Sequence, residues 1–352
     1  MTLRTSFCGA LVAALWMTLQ PGALSPCGAA EVAAAITYDF IPRPAGLADA
    51  FRPSGDTSLK FLTIKTIDGY PMEAALWLPN GKAAADTTLV VMVHGSGGSY
   101  RRPPESTIGP RLAGKGYAAL AIDTRQHDDK INTDNFLDIR RDIEAAVQVG
   151  RALGYQKLVL AGHSLGNIQV QYFAATNWDR DLRAVVLLGP FANLPWKSRN
   201  ILVQDEQRFR ALIEASMKSL RDGTLDQILP VKMRFSNPVS STTASTGQDV
   251  PTTGQHFLTY RFDRTSLADG TFWIRHIPKP ILIVRDQSDG VVLPFEPHML
   301  VSAAHAEGSL VTSVDLVVLP DTNPVSLKGH YFDGNEQPLT DVLAKWLADR
   351  QL

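Results

Sequence analysis

The chain has 352 residues, with 34 Lys and Arg against 35 Asp and Glu, for a formal net charge of −1. Hydrophobic residues make up 45% and charged residues 20%, enough apolar material for one large core or two small ones. This balance gives no electrostatic ground for a nucleic-acid or anionic-membrane partner, and no repeat of fixed period marks a solenoid.

The N-terminus places Arg4 before an apolar stretch from Phe7 to Leu19, followed by small residues and Gly28-Ala29-Ala30. The stretch is short for a membrane span. The pattern predicts a signal peptide over 1–30, a secreted or periplasmic protein, and no membrane span once the leader is removed. A retained anchor is the rival reading. Lipidation at Cys27 is disfavoured because Pro26 fits a lipoprotein box poorly. The two cysteines, Cys8 and Cys27, both lie in this leader, so the mature chain is expected to have no disulfide, thiol nucleophile or thiolate metal site.

Residues 31–58 read as an N-terminal extension and 59–352 as one domain. Two β-like runs around Asp68-Gly69 predict an antiparallel hairpin. Short, continuously apolar runs then alternate with amphipathic stretches, at 89–93, 118–122, 158–161, 184–188, 281–284 and 314–319. Such strands with helices between them predict a doubly wound, mostly parallel α/β sheet covered on both faces. Phe136, Ile139, Ile143 and Val147 recur at helical spacing and are read as packing. A last helix is expected over about 339–352. Residues of about 190–275 break the alternation and are read as an inserted cap over the carboxyl edge of the sheet. Within it, 204–222 is helical, and 236–254, rich in Ser, Thr, Pro and Gly, is expected to be a mobile loop. The cap aromatics Phe191, Trp196, Phe209, Phe235, Phe257, Tyr260 and Trp273 are expected mostly to pack, and the cap to line the substrate pocket.

Ser164 sits in Gly162-His163-Ser164-Leu165-Gly166, between a strand and a helix. That context lifts a hydroxyl above the sheet on a tight turn. A serine needs a base, the base an orienting acid, and the developing oxyanion needs donors. The Gly-rich loop after the 89–93 strand, with Gly95 and Gly97, offers the N–H of Ser96, which joins the N–H of Leu165. Asp286 and Asp289 both follow the strand after the cap. His330 follows the final strand. His94 and His163 are expected to orient backbone. His127 with Asp128 and Asp129 reads as a solvated turn, not a metal cluster, and no metal or other cofactor is expected. His256, His276, His298 and His305 carry no motif.

Five segments together resemble the α/β-hydrolase family over about residues 59–350. They are HGSGGS as the oxyanion loop, AAIDTRQHDD as a strand end with Gln126 in place of Gly, GHSLGN as the nucleophile elbow with Asn167 where a small residue is usual, IVRDQSDGVVLP as the acid turn, and the Gly-His pair at 329–330. The resemblance implies an α/β-hydrolase fold and puts Asp289 at the acid position. With Ser164 and His330 it implies a Ser-His-Asp serine hydrolase of carboxylic esters acting on a small-molecule substrate through an acyl-enzyme. An amidase, an aminopeptidase or a thioesterase would share this machinery. A non-catalytic binding protein on the same fold is the reading from another class. The oligomeric state is not legible.

Overall fold

The computed structural model describes residues 35–47, 51–53, 55–203, 205–235 and 248–352. Residues 1–34, with Cys8 and Cys27 and the expected signal peptide, lie outside the described residues, as does 236–247. The strands in chain order are β1 (Thr37–Ile41), β2 (Thr57–Lys65), β3 (Pro71–Pro79), β4 (Thr88–Val93), β5 (Ala118–Ile122), β6 (Lys157–His163), β7 (Leu182–Leu188), β8 (Met233–Phe235), β9 (Gln248–Val250), β10 (Pro280–Asp286) and β11 (Ser313–Leu319). Nine of them form one sheet, in the order β1-β2-β3-β5-β4-β6-β7-β10-β11. The β1–β2, β2–β3 and β3–β5 pairs are antiparallel. From β5 to β11 every pair is parallel. This is the doubly wound sheet the apolar runs predict.

Each parallel strand except the half-exposed edge strand β11 buries both faces. Along β4, Leu89, Val91 and Val93 enter one core while Val90 and Met92 enter the other, the alternation that a pleated strand imposes. Helices α2 (Ile139–Ala152) and α3 (Leu165–Thr176) cover the first core with Ile139, Ile143, Val147, Val170 and Phe173. Helix α1 (Glu105–Gly114) and the terminal helix Glu336–Asp349 cover the second with Ile108, Leu112, Leu339, Leu343 and Leu347. Phe136 precedes α2 in a short helical turn and instead packs on Tyr172 and Tyr260, at ring distances of 5.1 and 5.0 Å.

The sheet begins earlier than the expected domain boundary. β1 lies within the stretch read as an extension and pairs with β2 from Thr37↔Lys65 to Ile41↔Phe61. Its sequence, TYDFI, is short and mostly exposed, so it carries little apolar periodicity to read. The insertion between β7 and β10 contains the helix Glu206–Asp222 and a small antiparallel hairpin of β8 and β9. The hairpin corrects the loop reading of 236–254 at its far end, where Thr252 and Thr253 are also buried. Phe209, Leu212, Met233, Phe257 and Leu258 give the insertion its own core. It docks on the loop after β5: the Gln255 amide donates to the Thr133 carbonyl at 2.7 Å, and the Tyr260 hydroxyl donates to Asp134 at 2.5 Å. Among the described residues no helix is long and apolar enough to cross a membrane.

Candidate active site

The sequence-predicted site residues all follow the carboxyl ends of parallel strands, where open α/β sheets form their clefts. The turn Gly95–Gly98 follows β4, Ser164 follows β6, Asp289 follows β10 and His330 follows β11. These strands are not all neighbours: β7 stands between β6 and β10. Gly189, just past β7, makes the crossing possible. Its φ is +55°, and a Cβ there would lie 3.2 Å from Asp289 Oδ2 and 3.3 Å from His330 Nδ1.

Ser164 is the residue before α3, at φ 52° and ψ −119°. A non-glycine residue rarely adopts such a backbone unless its surroundings enforce it. Two small residues make room: a Cβ on Gly162 would meet the Gly166 carbonyl at 2.5 Å, and one on Gly166 would meet the Val93 carbonyl at 2.3 Å. Asn167, where a small residue was expected, ties the turn together. Its amide donates to the carbonyls of Ser164 at 2.9 Å and Leu188 at 2.8 Å, while the Ser164 N–H also donates to Leu188. The sequence reading treated Asn167 only as a departure from the pattern.

Asp289, not Asp286, meets His330: Nδ1 lies 2.9 Å from Asp289 Oδ2. Asp289 Oδ1 accepts from the N–H groups of Val291 and Val292 at 2.7 and 2.9 Å. Burial alone would raise its pKa. The nearby His330 and these N–H groups outweigh that and hold the carboxylate below its ordinary value. Asp286 closes its own turn on the Ser288 N–H and accepts from Asn335. The acid and histidine turns are joined through backbone, with Gly290 donating to Ser326 and Ser326 donating to Ser288. Phe191 stacks on the His330 ring at 6.3 Å.

The other two histidines beside the site act on backbone. Burial lowers His163 to about 3, with His330 adding repulsion. The ring is therefore neutral, and its Nε2–H donates to the His330 carbonyl at 2.9 Å. Burial lowers His94 to about 4. Its Nε2 accepts the Thr124 N–H at 3.0 Å, so Nδ1 carries the proton and donates to the Gly95 carbonyl at 2.7 Å. That carbonyl also accepts the Gly98 N–H at 3.0 Å. The Gly95–Ser96 peptide is planar and trans, so holding its carbonyl on one side presents the Ser96 N–H on the other. Gly97, at φ +63°, supplies the left-handed residue of this turn. Gly95 must be small because a Cβ would lie 2.7 Å from Ser164 Cβ. Leu165 begins α3, so its N–H has no intrahelical acceptor.

Gly95, Ser96, Gly97, Gly98, His163, Ser164 and His330 line one cavity with Arg102, Pro103, Glu105 and Tyr331. Among the described residues its wall comes from the entry to α1, and none of 190–275, expected to line the pocket as a cap, takes part. Phe209, Phe257 and Tyr260 are fully buried and pack; Trp196 is exposed, and the side chain of Phe235 lies outside the described residues. Next to the oxyanion turn, ligand atoms of Asp123, His127 and Asp128 lie within 4.8 Å of one another, so Asp123 takes the place the sequence reading gave to Asp129. Arg102 pairs with Asp128 at 2.7 Å and the Tyr100 N–H donates to Asp123 at 2.8 Å.

The profile of the alpha/beta hydrolase fold family matches residues 88–325, and the chain belongs to that family. Among solved structures it is similar to the esterase Est1E from Butyrivibrio proteoclasticus in complex with ferulic acid, at 20% identity over 80% of this chain and 96% of that one, with a TM-score of 0.55. It is also similar to the hypothetical protein PA2218 from Pseudomonas aeruginosa, at 17% identity over 88% and 99% with a TM-score of 0.64. A soluble variant of monoglyceride lipase from Saccharomyces cerevisiae matches at 14% identity over 85% and 98%, with a TM-score of 0.57. At these identities the likeness concerns the fold. A search of curated protein sequences returned no match.

Proposed function

We propose that this protein is a serine hydrolase of carboxylic esters, with Ser164 as nucleophile, His330 as base and Asp289 as the orienting acid. The observation that carries this reading is the 2.9 Å contact of His330 Nδ1 with Asp289, in a cavity shared with Ser164 on its left-handed turn. With Nδ1–H bound to Asp289, His330 Nε2 is free to take the Ser164 proton as the hydroxyl oxygen attacks the ester carbonyl. The N–H groups of Ser96 and Leu165 receive the oxyanion. The alcohol leaves with the proton from His330. Water then gives a proton to Nε2 as it attacks the acyl-serine, and that proton passes to the Ser164 oxygen as the acid leaves. The base acts in its neutral form, so turnover falls on the acid side.

The small cavity at Ser164, walled by Arg102, Pro103, Glu105 and Tyr331, supports small to medium acyl or aromatic esters over long lipid chains. The similar Est1E is bound to ferulic acid, an aromatic acid. The leader at 1–30 supports export to the periplasm or medium, and N-terminal sequencing of the exported protein checks its removal.

A fluorophosphonate probe tests the assignment. It should label Ser164, as located by peptide mass. Ser164→Ala should abolish labelling and lower ester turnover by several orders of magnitude while leaving the fold intact. Near-normal turnover in that variant would refute the mechanism. A panel of p-nitrophenyl esters from acetate to palmitate, beside p-nitroanilides, tests the substrate class: a peak at palmitate, or anilides outrunning esters, would overturn it.

A further inference from the structure

One wall of the cavity takes no part in the proposed reaction. Glu105 lines it, in the first turn of α1, and is 2% exposed. The groups that act on its charge are its own backbone N–H, which favours the carboxylate, and Asp123, which opposes it. Arg102, in the same wall, is paired with Asp128. Tyr331, a further lining residue, is raised by burial and then by the Glu105 charge, so the two side chains share a local field.

A buried carboxyl without a cation is expensive for a fold to hold. The Glu105 carboxylate accepts from its own backbone N–H at the start of α1, and Pro104 before the helix supplies no side-chain cap. A ligand that donates a hydrogen bond would meet the carboxyl's unfilled capacity. Burial, with Asp123 adding to it, pushes Glu105 up to about 8. It can therefore accept from a hydroxyl as a neutral acid, or from an ammonium as a carboxylate whose proton is released to solvent, since the positive charge lowers its pKa. Buried, perturbed carboxyls in a reactive cleft are recurrent marks of recognition.

We propose that Glu105 is a specificity-determining residue that receives a hydrogen-bond donor, a hydroxyl or an ammonium, carried by the substrate within a few atoms of its scissile carbonyl. The assignment deepens the ester-hydrolase reading and rests on it. It makes the preferred substrate a hydroxy- or amino-substituted ester rather than a purely apolar one. The discrimination follows from the site: an apolar substituent of the same size would leave the carboxyl dry and unpaired.

The experiment uses isosteric ethyl esters that carry methyl, hydroxyl or ammonium at the second or third acyl carbon. They are compared in the wild type, Glu105→Gln and Glu105→Met, with each rate divided by that of alkaline hydrolysis. The wild type should favour a donor-bearing member over its methyl isostere by about tenfold or more in kcat/KM. Glu105→Met should abolish that ratio. Glu105→Gln should keep a preference for hydroxyl and lose one for ammonium, which separates the two donors. The same ratios are read as affinities in Ser164→Ala by calorimetry, where no turnover is needed. Labelling of Ser164 by the fluorophosphonate in each single variant shows that the site is folded. A wild type without preference at either carbon, or a preference that survives in Glu105→Met, overturns the assignment. If Ser164 is not labelled and no ester is turned over, the hydrolase reading falls, while the affinities in Ser164→Ala still decide the role of Glu105.

Discussion

Asp286 and Asp289 are three residues apart, and both are completely buried, yet their surroundings separate them. Asp289 faces His330 and Asp286 faces Asn335. Asp289→Asn should keep the shape of the turn and reverse the hydrogen bond at Nδ1, which favours the wrong imidazole tautomer. A loss of roughly 10³–10⁴ in kcat is expected. Asp286→Asn should affect kcat far less and act mainly on stability. Steady-state kinetics of the two variants check this, and the reverse ranking would place the acid elsewhere. Asn167 is a second case. Asn167→Ala removes two hydrogen bonds that hold the Ser164 turn, and should cost about 2 kcal/mol in a urea titration. The motif around Ser164 and the histidine after the last strand were legible because each depends on a few consecutive residues. The role of Asn167 was not, because its second acceptor is the Leu188 carbonyl on another strand.

At the scale of elements, the start of the insertion is fastened to the acid turn. Lys197 is fully buried. Its ammonium donates to the Val291 carbonyl at 2.7 Å, pairs with Glu296, and lies 4.4 Å from the centre of the Phe191 ring. Glu296 in turn accepts the Leu293 N–H at 2.8 Å. Burial lowers the Lys197 pKa against the pull of Glu296, so the pair is held by its geometry. Removing one partner strands a buried charge. Lys197→Met is expected to destabilise by about 3–5 kcal/mol, and Lys197→Met with Glu296→Met to recover most of that. Chemical denaturation of the single and double variants measures the difference, and additive losses would show that the two side chains do not act as a pair. This fastening was invisible in the sequence. Neither residue stands in a motif, and their approach requires the insertion to fold back on the β10 turn.

For the whole molecule, buried titratable groups of opposite sign set the pH range of stability. His94 and His163, near 4 and 3 in the fold, protonate near 6.5 when unfolded. Between those values the unfolded chain binds more protons, so their contribution is complete above about 6.5 and is lost as pH falls. Glu105 and Asp123 are raised by burial to about 8 and about 7. The folded chain then binds more protons, so their contribution is complete below about 4 and is lost as pH rises through 7 and 8. Stability should thus decline between about pH 6.5 and 8, and Glu105→Gln should flatten that decline. The urea midpoint measured against pH checks both, and an unchanged slope in the variant would remove Glu105 from this account.

The sequence by itself determined the parallel core of the sheet, because strands buried on both faces must be apolar throughout. It also determined the Ser164 elbow and the place of His330 after the last strand, because strand, turn and helix signals are local, whereas Asp289 rather than Asp286 followed from the family resemblance. Only the tertiary structure decided that β1 extends the sheet, that β7 separates two of the site-bearing strands so that Gly189 must be bare, and that, among the described residues, the cavity wall comes from Glu105 and its neighbours. These features arise where segments distant in the chain meet. What such a contact requires of a residue is a space or a partner, and the sequence around that residue encodes neither.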